Sequence, residues 1–593
     1  MKKSLFSIAA VMIFVGTAFS ANPLLRQKYT ADPNPFVWND RLYVYCSYDN
    51  NNQTDNKTYN IKFYTLISTD DMANWTDHGE VFSVGRDLPA LSQAYAPGTA
   101  VKNNKIYLYV PNSGANIGAV SADRPEGPFT NPKGNFITKN ASLNTNVEWL
   151  FDPAGFVDTD GQGYVYFGGG PADGNPKPGS NLRVAKLNAD MVSLNGSATT
   201  ITGSTRSFEA AYMHKRDNTY YFTYSQNFDG GSADIAYMTG TNPMGPFTFK
   251  GTMLPNSASG GGNNHAGVVQ YKSNWYVFYH DRKLRKTNNV SSGEFRSVSV
   301  DKLEYNTDGT MKQVVATDAG PAQIKNLNPY DTVLATTMFK QSGNIKTAIC
   351  SGKTPGTISN SDAASAGTSG DRCVMLVSIT DGSWVNLKGV DFANGATSFV
   401  VRAASASAGG SIEIRTGSNT GTLAGTCAIG ATGGITTWKD IECDISMTAG
   451  VKDYLYLVFK GSSNQFRVSK YIFKASGSTP SSSSAAPSSS SRAASSSSIA
   501  ASSSSVVASS SSRASSSSSH SSSSIAASSS SSDETPSSSS EDITPIANHL
   551  PLATSHTVTY YSLKGEPLGN AKPQKAGVYI VKQGSSVRKI AVR

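Results

Sequence analysis

The most regular feature of the chain is alternation. Five segments between residues 22 and 325 each set a turn signal ahead of an aromatic-rich stretch of period two: NDRLYVY, NNKIYLYV, GQGYVYFG, DNTYYFTYS and KSNWYVFYH. Side chains that alternate this way suit a half-buried strand, and the Asn, Asp and Gly pairs before them suit the turns that lead into it. Aligning Tyr43, Tyr107, Tyr164, Tyr221 and Tyr276 gives spacings of 64, 57, 57 and 55 residues. A second element recurs out of phase, as RPEGPFT from Arg124 and NPMGPFTFKG from Asn242. Strand units repeated at this period, with no helical periodicity between them, predict an all-β fold whose first domain, 22–325, is a five-bladed β-propeller.

Alternation continues beyond residue 325 without the repeat. Residues 326–475 carry strands and turns at the spacing of a β-sandwich of jelly-roll type. Residues 476–541 are mostly serine and bury too little apolar surface to fold, which predicts a disordered linker. The last segment, 542–593, ends in GVYIVKQGSSVRKIAVR, which alternates like two strands of a small sheet. At the other end, Lys2 and Lys3 precede an apolar run to Val15 and the small-residue site Ala18-Phe19-Ser20, so residues 1–20 read as a signal peptide. No later stretch is apolar for the roughly 18 residues a membrane helix needs, so the expectation is a secreted protein without a membrane span.

Charge and cysteine content refine this picture. The net charge is +9, but residues 551–593 hold seven Lys or Arg against one Glu. With an export signal, that local excess suggests attachment to a surface or to secretion machinery and speaks against nucleic acid. Five cysteines fit an oxidising compartment. Four lie between residues 350 and 443; the favoured pairs are Cys350–Cys373 and Cys427–Cys443, though sequence leaves connectivity open. Cys46, on the first aromatic strand, reads as a small buried apolar residue.

Candidate chemistry emerges from the repeat itself. Eleven or twelve residues before each aligned tyrosine stand Asp32, Ala96, Asp152, Glu209 and His265. The first strand of a propeller blade lines the central channel, so equivalent positions at its start converge near the axis. Repetition alone would put one residue type there; three carboxylates and an imidazole point to function. Acids crowded in a sugar-sized cleft can divide the work of glycoside hydrolysis, one protonating the leaving oxygen and another attacking or activating water. A sialidase would add an arginine cluster and a nucleophilic tyrosine, for which no arrangement is visible. A non-catalytic lectin and a calcium site remain as alternatives.

The strings ADPNPFVWNDRLYVYCSYD, FDPAGFVDTDGQGYVYFGG, SFEAAYMHKRDNTYYFTYS and NHAGVVQYKSNWYVFYH resemble the blade motifs of glycoside hydrolase family 43, over about residues 24–320. The resemblance implies an inverting enzyme acting on xylan, arabinoxylan or arabinan of plant cell walls. Carried over position by position, Asp32 resembles the general base, Glu209 the general acid, and Asp152 the carboxylate that tunes and orients that acid. His265 matches a histidine that in several members faces an axial metal, which makes calcium compatible but not required. Arg296 matches an arginine that reaches substrate hydroxyls. Tyr95, where the family often has tryptophan, would wall the pocket.

Residues 326–475 resemble a family 6 carbohydrate-binding module, with two departures. Gly433-Gly434-Ile435 stands where Gly-Gly-Trp is usual, although Trp438 is kept, and Arg467 stands where an asparagine is frequent. Trp384 and Trp438 are expected in or near the core. The 542–593 segment resembles the basic terminal and sorting modules of cellulolytic bacteria. The sequence therefore reads as a secreted bacterial glycosidase removing arabinofuranosyl or xylosyl units, with arabinan cleavage and a silent glycan-binding propeller as the alternatives.

Overall fold

The computed structural model describes residues 21–49, 59–170, 181–227, 232–351 and 372–475, apart from 292, 408 and 462–465, together with the backbone of four strands between 558 and 592. The signal segment 1–20 and the serine tract lie outside the described residues. The described residues up to 475 form one compact unit, and the strands between 558 and 592 belong to another.

Five antiparallel sheets follow one another from Thr30 to Leu303. The five aromatic segments are the second strands of these sheets: Arg41–Tyr48, Lys105–Pro111, Gly163–Phe167, Thr219–Gln226 and Asn274–Asp281. The first strands, Thr30–Trp38, Gly98–Lys102, Ala154–Val157, Ser207–Arg216 and Ala266–Tyr271, touch one another in turn, and the fifth returns to the first. That ring is the propeller axis. Packing there is tight: a Cβ on Gly98 would lie 2.2 Å from the Pro153 carbonyl oxygen of the next blade, so only glycine fits.

The aromatic side chains fill the wedges between blades. Tyr45, Leu66 and Phe82 of blade one pack with Leu108 and Val120 of blade two, while Tyr166 of blade three packs with Phe222 of blade four. Cys46 is fully buried between blades one and five beside Trp75, Tyr276 and Phe278. The N-terminal segment completes the ring by running along the last strand of blade five, Ser297–Leu303, with Leu24 N–H donating to Val298 O at 2.9 Å and Thr30 N–H to Arg296 O at 3.0 Å.

The sandwich stacks a six-stranded and a five-stranded sheet over an apolar core that includes Phe392, Phe399, Ile412, Leu457 and Phe473. Both expected disulfides are present. Cys427–Cys443 ties the strands Thr422–Ile429 and Gly434–Met447 of opposite sheets, and Cys350–Cys373 joins the ends of two neighbouring strands. The boundary with the propeller is not a free linker. Thr337–Met338 pairs with Thr76 and Trp75 and becomes the fifth strand of blade one. Asn74 bonds Lys388 in both directions at 2.8 Å, and Arg372, buried, donates to the backbone oxygens of His78 and Glu80.

In the C-terminal unit, Gly577–Gln583 and Ser586–Val592 form the hairpin that the alternation suggests, within a four-stranded antiparallel sheet. No helix among the described residues is long and apolar enough to cross a membrane.

Candidate active site

The acid-bearing first strands share a local irregularity. In blade one the pairing register slips between Ala31 and Asn34, and Asp32 lies at φ 51°. In blade three Asp152 lies at φ 48°, just ahead of its strand; in blade four the register slips on both sides of Glu209, and Ala210 lies at φ 62°. A left-handed backbone at a non-glycine residue is costly, and here it turns three carboxylates off the strand face and toward the axis. Asp32, Asp152 and Glu209 line one pocket with Tyr59, Tyr95, Ala96, Phe151, Asn263, His265 and Arg296.

All three carboxylates are buried, yet their surroundings differ. Burial alone would push Asp32 up. The Arg296 guanidinium, with Nη1 2.8 Å from Oδ1, outweighs it and holds the carboxyl well below its ordinary range. Arg296 is fixed from behind by Asp49, which accepts from Nε at 3.0 Å and from Nη2 at 2.9 Å. Ser47 Oγ donates to the other Asp32 oxygen.

Among the described residues, Glu209 has the neutral amide of Asn263 as its side-chain hydrogen-bond partner. Burial, reinforced by the Asp32 charge, pushes it up to about 8, against the pull of a 3.0 Å hydrogen bond from Asn263 Nδ2 to Oε1. Asp152 is raised by burial and by the charges of Glu209 and Asp32. Its Oδ2 accepts the Ala210 N–H at 3.0 Å, so it holds the bulge that carries Glu209. The pocket thus separates an ionised carboxylate from a protonated one, which is the division that acid–base catalysis requires.

His265 Nδ1 sits between the two aspartates, 3.7 Å from Asp32 Oδ1 and 3.8 Å from Asp152 Oδ2, and burial lowers it to about 4. Those oxygens are already engaged by Arg296 and Ala210. No group of three or more His, Cys, Asp or Glu among the described residues has metal-holding geometry. Calcium needs several free oxygens, and the side chains around His265 do not supply them.

Tyr95 lines the pocket, with its ring 5.8 Å from that of Tyr59 and its hydroxyl donating to the Tyr59 carbonyl at 3.2 Å. Arg296 lines it too, with its guanidinium 4.7 Å from the Tyr59 ring centre and its N–H groups directed to Asp49 and Asp32. In the sandwich, Trp384, Trp438 and Arg467 are half-buried and Ile435 is 42% exposed.

Sequence reasoning missed Ser47, Asp49, Asn263 and His280. Three of them carry a legible signal: Ser47, Asp49 and His280 break the aromatic run at or just past the channel end of a second strand.

Comparison with known proteins agrees with this geometry. Residues 20–311 match the profile of glycosyl hydrolases family 43, and residues 353–475 match the carbohydrate binding module (family 6). An arabinoxylan arabinofuranohydrolase of Bacillus subtilis (strain 168) is 39% identical over 77% of this chain and 92% of its own length. One from Paenibacillus polymyxa is 38% identical over 75% of this chain and 72% of its own. The crystal structure of a family 43 arabinoxylan arabinofuranohydrolase from Bacillus subtilis in complex with cellotetraose aligns with a TM-score of 0.67 at 37% identity, covering 77% of this chain and 98% of that one. With its five blades, its buried carboxylates and these relatives, the chain belongs to glycosyl hydrolases family 43 and carries a family 6 carbohydrate-binding module.

Proposed function

We propose that the protein is a secreted, inverting hydrolase that removes arabinofuranosyl groups from arabinoxylan. The observation that carries the reading is the pair of buried carboxylates in one pocket: Asp32 held ionised by Arg296, and Glu209 pushed up to about 8 by burial. The similarity to arabinoxylan arabinofuranohydrolases supports the substrate class.

In this reading Glu209 gives its proton to the glycosidic oxygen while the bond from that oxygen to the anomeric carbon breaks, its electron pair staying on the oxygen. A water attacks the anomeric carbon from the opposite face and loses its proton to Asp32. One water is consumed, and the proton gained by Asp32 equals the one lost by Glu209, so solvent exchange resets the site. Asp152 keeps the Glu209 bulge in place throughout. The family 6 module and the basic C-terminal segment serve attachment, to polysaccharide and to the cell surface or secretion machinery respectively.

The test is NMR analysis of products from wheat arabinoxylan, linear xylo-oligosaccharides and debranched arabinan. Arabinose released from the first with initially inverted anomeric configuration is the expected result. Xylose from the second or arabinose from the third would move the substrate within the class. Binding without any release would replace the reading by that of a lectin.

A further inference from the structure

The hydrogen-bond donor on Glu209 is itself held from behind. Arg282, 3% exposed, sends Nη2 to the Asn263 side-chain oxygen at 3.0 Å and Nη1 to the Asn263 backbone carbonyl at 2.9 Å. Its charge is met by Glu294, to which Nη2 also donates. A guanidinium can only donate, so the Asn263 amide has one orientation open to it: oxygen toward Arg282 and NH₂ toward Glu209. The oxygen of Glu209 that accepts this bond is Oε1. The carbonyl oxygen of a protonated carboxyl is its better acceptor, so a bond to Oε1 favours the acid proton on Oε2.

The chain is shaped to admit Arg282. Gly260, Gly261 and Gly262 all have left-handed φ, at 68°, 106° and 78°. A Cβ on Gly262 would lie 2.4 Å from Arg282 Nη2 and 2.8 Å from Cζ, whereas one on Gly261 would meet nothing within 4 Å. The Asn263 carbonyl is also 3.1 Å from His280 Nε2, which must then bear the proton; the lone pair left on Nδ1 accepts the Asp32 amide N–H at 3.2 Å. Asn263 therefore touches Glu209 directly and Asp32 through His280.

We propose that Asn263 is a positioning residue for the general acid, and that Arg282, lying flat against Gly262, sets its amide so that Glu209 delivers its proton from Oε2. The inference rests on Glu209 being the acid. As the proton leaves Oε2, the new carboxylate keeps the Asn263 N–H as a donor, and this stabilises the charge that the transfer creates.

The other titratable groups facing Glu209 are Asp32, Asp152, Glu294, Arg296 and Tyr59, and the test leaves all of them in place. It compares pH profiles of kcat/KM on wheat arabinoxylan for Asn263→Ala, Arg282→Lys, Gly262→Ala and Gly261→Ala with wild type and Glu209→Gln, with a thermal melt of each variant. Loss of a donor to the carboxylate raises its pKa, so Asn263→Ala should move the alkaline limb up by about half a unit to one unit. Its kcat should fall on the order of tenfold or more, with KM within about threefold. Arg282→Lys and Gly262→Ala should shift the limb the same way by less. Gly261→Ala bears left-handed strain without contact to Arg282 and should leave the limb where it is. A fall in kcat with the limb unmoved in Asn263→Ala, or identical behaviour of the two glycine variants, overturns the proposal. A wild-type rate in Glu209→Gln overturns the underlying acid assignment, and it does so without reference to Asn263 or Arg282.

Discussion

Asp32 and Glu209 occupy equivalent places in two blades and are almost equally buried, at 4% and 7% exposure, yet one is held ionised and the other protonated. The Asp32 side is built of donors and a cation: Arg296 backed by Asp49, with Ser47 on the second oxygen. The Glu209 side offers one neutral amide and a second carboxylate, Asp152, nearby. Position within the fold brings an acid to the axis. What surrounds it decides whether it takes up a proton or gives one.

The largest test of that contrast is chemical. Asp32→Asn and Glu209→Gln should each slow arabinoxylan hydrolysis by roughly 10²–10⁴. On an aryl arabinofuranoside whose phenol leaves unprotonated, Glu209→Gln should lose only about tenfold or less, whereas Asp32→Asn stays fully impaired. Equal losses on the aryl substrate would erase the difference in role.

Next is the cation. Arg296→Met leaves Asp32 buried without its partner, so the acid limb of kcat/KM should move up by about 1–3 units. The third check needs no mutation: the wild-type alkaline limb should fall near the value to which Glu209 is pushed, about 8.

The smallest effect is on stability. Glu209 has a higher pKa folded than unfolded, so the native state binds more protons between its ordinary range near 4.5 and about 8, and stability falls as pH rises across that window. Glu209→Gln has no such fall. Its melting temperature should gain on wild type from pH 5 to pH 9, by an amount equivalent to a few kcal/mol. A constant difference between the two would mean that Glu209 titrates normally.

Much of the architecture was legible because it repeats. The aromatic strands, the acid positions ahead of them and the cysteine pairs are all encoded within short windows or regular intervals. Partners brought together from distant windows were not. Arg296 meets Asp49 across 247 residues and His280 meets Asp32 across 248, and only ring closure sets blade five against blade one. The left-handed backbone at Asp32 and Asp152 was equally hidden, because Asp-Pro reads as an ordinary turn until the register slip is seen. The sequence suggested that Arg296 reaches substrate; only the fold reveals that its N–H groups are directed at two aspartates.

Thr337 and Met338, described above as the fifth strand of blade one, make the line between the two domains a poor place for an engineer to cut. A chain ended at residue 325 would leave Trp75, Thr76 and Asp77 without their backbone partners, and would remove the Arg372 side chain that caps the His78 and Glu80 carbonyls. Such a fragment keeps every catalytic side chain but exposes an unpaired edge, which is a site for association between chains. A foreign sandwich grafted in its place would have to bring an edge strand of its own.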